Sequence, residues 1–350
     1  MKPPRAVHLR AAGETPLLHL AVAHRGRVRP VALKLEEHGP SGSVKDRSAA
    51  GLLRALHQER PLTPGTVVVE STSGNLGLAL ARLLPALDCS FLAVIDPKTP
   101  PATRRMLTDN GAQVLMVDKP DGQGGFLLSR LEAVWDTLAR HPGHRWPNQY
   151  ENWAAPAEHR RSTGPELIAQ AGDSLAAVYV PVSTGGTLAG IASHLREHGP
   201  DVDVVAVDVH GSLAVAGTAG RRLIPGIGSS RPSHFLKSAD SYDRLVRVDD
   251  VEAIAVCRIV AEDLGLRLGG SSGCAVRALL TDLERDRVAR GLPVCLAADG
   301  GAKYRDTLYS LAWTTEQGVE KDIMAAMEQL RREGLYFARR EPHHLEQPRQ

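Results

Sequence analysis

Residues 176–190 read AAVYVPVSTGGTLAG. An apolar, β-branched run ends at Val182, five hydroxyl and glycine residues follow (Ser183, Thr184, Gly185, Gly186, Thr187), and the helical pattern LAGIASHLREHG begins at Leu188. A short apolar run bounded by glycine is the pattern of a strand buried on both faces, and strand, glycine turn and helix in that order make the repeating unit of a parallel α/β sheet. The same turn can cup an anion. Glycines let backbone N–H groups converge, hydroxyls add donors, and the positive end of the helix dipole favours negative charge. No lysine follows as in G-x-x-x-x-G-K-[ST], which disfavours a nucleoside triphosphate. Taken alone, the loop is also explained by a tight turn with no ligand.

The unit recurs on both sides of this stretch. From Thr66, TVVVE, GNLGLALARLL, SFLAVID, PATRRMLTDNG, AQVLMVD and GFLLSRLEAVWDTLARH alternate strand-like and helical patterns. DVVAVDV, VEAIAVCRIVAEDLG, CAVRALLTDLERDRVAR and LPVCLAAD continue the rhythm downstream. Two α/β lobes follow, with the Pro, His and Gly cluster RHPGHRWPNQYEN (140–152) as the break between them. No internal repeat is visible. The end of the chain, RREPHHLEQPRQ, reads as a frayed polar tail.

Composition narrows the function. The 350 residues are 43% hydrophobic and 23% charged, the balance of a soluble globular protein. A net charge of +2 and 4% aromatic residues provide neither a basic field nor stacking platforms for nucleic acid, so a small-molecule partner is expected. The N-terminus lacks the apolar core of a signal peptide and no apolar run is long enough to span a bilayer, so a cytoplasmic protein with no membrane partner is expected. Cys89, Cys257, Cys274 and Cys295 form no CxxC pair, which suits reduced, buried thiols and predicts no metal site.

Three further loops carry chemistry. In ESTSGNLG, a strand delivers Ser71, Thr72, Ser73, Gly74 and Asn75 to a helix start, where a carboxylate could bind; capping by Ser73 or Asn75 is the plainer account. GGSSGCA (269–275) places Ser271 and Ser272 at another helix start, again open to simple capping. In GPSGSVKDR (39–47), Lys45 follows a glycine-rich turn and precedes SAAGLLRALH. The positive end of that helix would depress its amine pKa and favour imine chemistry, although a solvated lysine is the commoner reading of any one lysine.

In chain order, GSVKDR, STSGNLG, STGGT and GGSSG resemble the motif set of the fold-type II pyridoxal-phosphate enzymes of the cysteine synthase and cystathionine β-synthase family. NQYENWAAPAEHRRSTGPEL is similar to that family's central segment, and the resemblance runs from about Thr15 to about Asp306. It implies an α/β, two-lobed, tryptophan synthase β-like fold, each lobe a mostly parallel sheet flanked by helices. Residues 1–38 with 147–325 would form a discontinuous cofactor-binding domain, 39–146 a small mobile domain and 326–350 a C-terminal tail. It further implies that pyridoxal 5'-phosphate is held by Lys45 as the Schiff-base lysine, by Asn75 at the phenolic oxygen, by Ser183, Thr184, Gly185, Gly186 and Thr187 at the phosphate, and by Ser271 at the pyridine nitrogen. A neutral serine there favours β-elimination over transamination. Thr72, Ser73 and Gln149, with Ser71 beside them, match substrate-carboxylate positions. The implied reaction is β-replacement on a serine derivative through an α-aminoacrylate, with Lys45 moving the α-proton, in an enzyme that is commonly a homodimer.

Some residues depart from cysteine synthase. Its phosphate loop usually reads GTGGT where this chain has Ser183, its asparagine loop ends Thr-Gly where this chain has Leu76-Gly77, and phenylalanine is common at the position of Tyr150. The hydroxyls of Ser183 and Tyr150 would serve a second substrate larger than sulfide. KPDGQGGFLLSR and RRLIPGIGSSRPSHFL resemble the N-(2-amino-2-carboxyethyl)-L-glutamate synthase branch, which implies O-phospho-L-serine and L-glutamate as substrates on the way to 2,3-diaminopropionate, a precursor of siderophores and peptide antibiotics. Arg130, Arg221, Arg222 and Arg231 are candidates for the anionic groups, each also explicable as surface arginine. The alternatives are a cysteine synthase acting on O-acetylserine or O-phosphoserine and, from another class, a catalytically silent relative that binds a partner.

Overall fold

A computed structural model describes residues 13–340, apart from 124, 289 and 290. The N-terminal half contains β1 (Leu17–His24), β2 (Arg27–Leu35), α1 (Lys45–Glu59), β3 (Val67–Ser71), α2 (Asn75–Leu83), β4 (Ser90–Ile95), α3 (Pro101–Asp109), β5 (Gln113–Met116) and α4 (Leu127–Arg140). The remainder contains α5 (Ala154–Arg161), α6 (Thr163–Ala171), β6 (Leu175–Pro181), α7 (Gly186–His198), β7 (Asp203–Val209), β8 (Arg244–Val248), α8 (Asp250–Leu264), α9 (Gly270–Glu284), β9 (Leu292–Ala297), α10 (Leu311–Glu316), α11 (Glu320–Arg332) and β10 (Tyr336–Arg339).

The strands form two sheets. The larger has the order β10-β1-β2-β9-β6-β7-β8 and the smaller the order β3-β4-β5. The small sheet is wholly parallel, as are the β2-β9-β6-β7-β8 pairings of the large one. Central strands of a parallel sheet are covered on both faces, which is why β7 and β9 read as nearly unbroken buried apolar runs. On one face Val205 and Val207 pack with the apolar residues of α8 and α9; on the other Val178, Val180, Val204 and Leu296 pack against Leu167 of α6 and Leu188 and Ile191 of α7. The small sheet alternates likewise. Val68, Phe91, Ala93 and Ile95 face α1 and α2, whereas Val69 and Val94 face Val134 of α4. No helix among the described residues is long and apolar enough to cross a membrane.

Two features lay outside the sequence reading. The β1–β2 hairpin turns at Arg25 (φ 49°) and Gly26 (φ 73°), and positive φ at both positions gives the turn whose twist matches the paired strands. Folded structure also passes residue 326, correcting the expected tail. Ile323, Met327 and Leu330 of α11 are buried, and β10 pairs antiparallel with β1 while burying Phe337. Apolar residues spaced three and four apart fix that last helix to α8, so the body extends to the last described residues. The rest of RREPHHLEQPRQ lies outside the described residues.

Candidate functional site

Loops following β3, β4, β6 and β9 line one cleft of about 450 Å³, which is where ligands bind in open parallel sheets. Lys45, the first residue of α1, is half-buried and lines this cleft. Burial pushes its amine down to about 8, an effect partly opposed by the negative charge of Asp299. At neutral pH about a tenth of such amines are unprotonated, against well under 1% for an ordinary lysine.

Asn75, the first residue of α2, sits between two charged groups. Its Nδ2 donates to Asp299 Oδ2 at 2.9 Å, and its Oδ1 accepts from Lys303 Nζ. Asp299 Oδ2 also accepts from Tyr304 at 2.7 Å and lies 2.9 Å from Lys303 Nζ. Among the described residues neither Ser73 nor Asn75 caps α2 through its side chain; the Thr72 hydroxyl does so instead, accepting from the Gly77 N–H at 2.9 Å. Lys303 and Asp299 instead fix which end of the Asn75 amide faces which way.

The β3 loop and the 146–150 segment clamp each other. Glu70 accepts from the backbone N–H of Ser71 (2.8 Å) and Gln149 (3.1 Å) and from Trp146 Nε1 (3.1 Å). In return Gln149 Nε2 and the Tyr150 hydroxyl donate to the Ser71 carbonyl at 2.8 and 3.5 Å. Thr72, Ser73, Gln149 and Tyr150 line the cleft. Ser71 does not: it ends β3, is fully buried, and its hydroxyl has no partner among the described residues, which corrects its placement at a substrate position. The strand's pleat turns its side chain inward, leaving its carbonyl as the useful group.

Ser183 and Thr184 line the cleft below the start of α7. Gly185 adopts φ 90°, and a Cβ there would lie 2.2 Å from Ser233 Oγ, which donates to the Thr184 carbonyl at 2.7 Å. Glycine is therefore required. Ser183 Oγ donates to the Gly228 carbonyl at 3.2 Å. Gly186 opens α7, and the buried Thr187 hydroxyl lies 3.3 Å from His159 Nε2, itself 3.0 Å from Ser48 Oγ of α1. Burial, with the charges of Lys45 and Arg47, holds that imidazole neutral. His159 thus ties the anion loop to the helix that carries Lys45. Ser271 is buried on the first turn of α9 and is not among the residues that line the cleft, and Gly269 before it is forced by Asp299 Oδ1, 1.8 Å from where a Cβ would stand.

The four arginines separate. Arg130 is buried on the cleft wall, 3.3 Å from Asp96 Oδ2, with its Nε and Nη1 lacking hydrogen-bond partners among the described residues. Arg222 also lines the cleft, and Arg221 is exposed at its edge, donating to Gln317. Arg231 pairs with Glu151 at 2.6 Å and lies over the Tyr150 ring, away from the cleft lining. The sequence reading missed Asp299, the last residue of LPVCLAAD, and Lys303 and Tyr304 shortly after it. An acid and two glycines after a buried parallel strand were the available signal.

Comparison with known proteins agrees with this geometry. The profile of the family described as pyridoxal-phosphate dependent enzyme matches residues 9–300. The N-(2-amino-2-carboxyethyl)-L-glutamate synthase of Ralstonia nicotianae is 41% identical over 303 residues, 86% of this chain and 88% of that protein. The protein of the same name from Cupriavidus metallidurans is 36% identical over 307 residues, 87% and 90% of the two. Among solved structures, O-ureido-L-serine synthase superposes with a TM-score of 0.77 at 28% identity, covering 92% of this chain and 100% of that one. The O-acetylserine dependent cystathionine β-synthase of Helicobacter pylori gives 0.75 at 26% identity, covering 87% and 98%.

Proposed function

The chain belongs to the pyridoxal-phosphate dependent enzymes, and from that premise we propose that it joins O-phospho-L-serine and L-glutamate to give N-(2-amino-2-carboxyethyl)-L-glutamate and inorganic phosphate. The observation that carries the reading is the cationic cleft. Lys98, Arg130, Arg221, Arg222 and Lys303 line it together with Lys45. A phosphate leaving group and a product with three carboxylates need such a wall, whereas sulfide does not. The two relatives bearing this product's name span most of the chain and support the same reading.

The site's donors suit pyridoxal 5'-phosphate. A glycine-cradled helix start suits its phosphate, the charge-oriented Asn75 amide keeps a second Nδ2 hydrogen for its phenolic oxygen, Ser271 offers a neutral hydroxyl for its ring nitrogen, and Lys45 offers a depressed amine for its aldehyde. When bound, this cofactor supplies the electron sink that acidifies the substrate α-carbon and lets the β-substituent leave.

The protein's own residues do the rest. Thr72, Ser73 and Gln149 hold the amino acid's carboxylate. Lys45 Nζ, as the neutral amine, takes the α-proton and later returns it. Arg130, which lines the cleft wall beside Asp96, faces the departing phosphate, which leaves with the electron pair of the Cβ–O bond. The glutamate amine forms the new Cβ–N bond and then loses a proton, with the Ser183 and Tyr150 hydroxyls on its side of the cleft. Residues 39–146 form the lobe that closes over the substrates, and the enzyme is taken to be a cytoplasmic homodimer.

Phosphate release tests this reading. With O-phospho-L-serine, sustained release is expected only when L-glutamate is present, and Lys45→Ala should abolish it. Sustained turnover with sulfide but not with glutamate would make the protein a cysteine synthase instead.

A further inference from the structure

Gly125 and Ser230, from the two stretches KPDGQGGFLLSR and RRLIPGIGSSRPSHFL, meet on the cleft wall at Arg222. Its Nη1 donates to the carbonyls of Gly211 and, at 3.2 Å, Ser229, and its Nη2 donates to Ser230 Oγ at 3.1 Å. Two glycines flank the side chain. A Cβ on Gly228 (φ +75°) would stand 2.9 Å from Arg222 Cδ; one on Gly125 would stand 3.1 Å from Nη2 and 2.6 Å from Ser230 Oγ.

Every hydrogen-bond partner of this guanidinium is neutral. Among the described residues no carboxylate lies within ion-pair distance of it, whereas Arg130 has Asp96 and Arg231 has Glu151. The acids that face it from further away are Asp121, Asp208 and Asp250, and Lys98 is the neighbouring cation. Each acid is engaged by backbone N–H groups: Asp121 by Gln123 (2.8 Å) and Gly125 (3.0 Å), Asp208 by Val209 (2.9 Å) and Asp250 by Leu223 (2.6 Å). Burial opposes the charge of Arg222, so an arriving anion would relieve that cost. The group is fixed in direction, half-buried and not neutralised at short range, as a preorganised oxyanion receptor must be.

Resting on the reaction proposed above, we infer that Arg222 recognises the side-chain carboxylate of the second amino acid, and that Gly125 and Gly228 are glycines because its side chain packs against both. The nucleophile is favoured over the leaving group by neighbourhood. The loop that carries Arg222 receives the Ser183 hydroxyl on Gly228, and its Arg231 covers the Tyr150 ring at 5.7 Å, so it abuts both residues that depart from cysteine synthase.

Competition between nucleophiles tests the assignment. Holoenzyme supplied with O-phospho-L-serine and equimolar L-glutamate and L-glutamine yields two adducts that mass spectrometry separates. Arg222→Met should lower the glutamate-to-glutamine product ratio by about 10- to 100-fold, the weight of one charge-assisted contact. Arg222→Lys should keep part of the selectivity, and Gly125→Val, which crowds the intact guanidinium, should lower it as well. An unchanged ratio in a folded Arg222→Met or Gly125→Val protein would overturn the inference. So would an intact ratio accompanied by lost discrimination between O-phospho-L-serine and O-acetylserine, which would place the leaving group at Arg222. A wild-type enzyme that forms no glutamate adduct would overturn the proposed reaction itself, a result distinct from both.

Discussion

Asn75 and Asp299 stand 224 positions apart in the chain, and the amide Nδ2 of the first donates to Oδ2 of the second at 2.9 Å. One residue opens a helix beside the small sheet and the other follows the last parallel strand of the large one, so this bond joins the two sides of the cleft. Asp299 Oδ1 stays buried without a partner among the described residues, and Asp299 is the opposite charge that acts on Lys45.

Removing that charge should lower the Lys45 pKa. Asp299→Asn is expected to move the midpoint for acylation of Lys45 in the cofactor-free protein downward from about 8. Peptide mapping after labelling across a pH series reads it. A midpoint unchanged or raised would contradict the electrostatic assignment.

The burial of Glu70 makes a second prediction. Its carboxyl is pushed up to about 7, so between its ordinary 4.5 and 7 the folded state holds a proton that the unfolded state has lost, and its contribution to stability falls as pH rises through that window. Glu70→Gln should lack this fall, and the wild-type advantage over it in urea denaturation should shrink from pH 5 to pH 7.5. Its amide NH₂ would also face N–H donors, loosening Gln149 and raising KM for the first amino acid by about 10-fold. Parallel denaturation curves at both pH values would count against the assignment.

Behind the Lys45 helix lies a buried charge cluster. Arg47 pairs with Glu36 at 2.8 Å and Glu166 at 2.6 Å, and Lys34 reaches Glu166 at 2.6 Å; Arg47, Lys34 and Glu36 are fully buried. Arg47→Met leaves two carboxylates short of a partner and should destabilise the protein by about 3–5 kcal/mol in chemical denaturation. A loss below about 1 kcal/mol would mean that the cluster relaxes or hydrates.

Gly185→Ala should weaken cofactor binding more than it weakens the fold. The positive φ and the close approach of Ser233 Oγ both oppose a side chain there, distorting the turn whose N–H groups would meet the phosphate. Equilibrium dialysis of pyridoxal 5'-phosphate should show about a 10-fold or greater rise in Kd. Unchanged affinity would remove this loop from the phosphate site.

The legible parts of the molecule were those written in local pattern. The strand, glycine turn and helix around Gly185 announced the parallel sheet and the anion loop, and GSVKDR placed Lys45 at a helix start. The partners of those residues were not legible, because they come from distant segments. Asp299 reaches Asn75 only once both sheets are assembled, and Glu70 meets Gln149 across 79 positions. Ser71 was misplaced because a run of hydroxyls does not reveal which one the pleat turns inward. β10 escaped notice because its partner strand, β1, lies at the far end of the chain.

The most direct measurement is the product itself. O-phospho-L-serine and ¹⁵N-labelled L-glutamate are incubated with holoenzyme, and the products are followed by NMR and mass spectrometry beside a phosphate assay. The account predicts one equivalent of phosphate for each N-(2-amino-2-carboxyethyl)-L-glutamate formed, with the label in the new Cβ–N bond. Glutamate left unchanged while added sulfide becomes cysteine would contradict it.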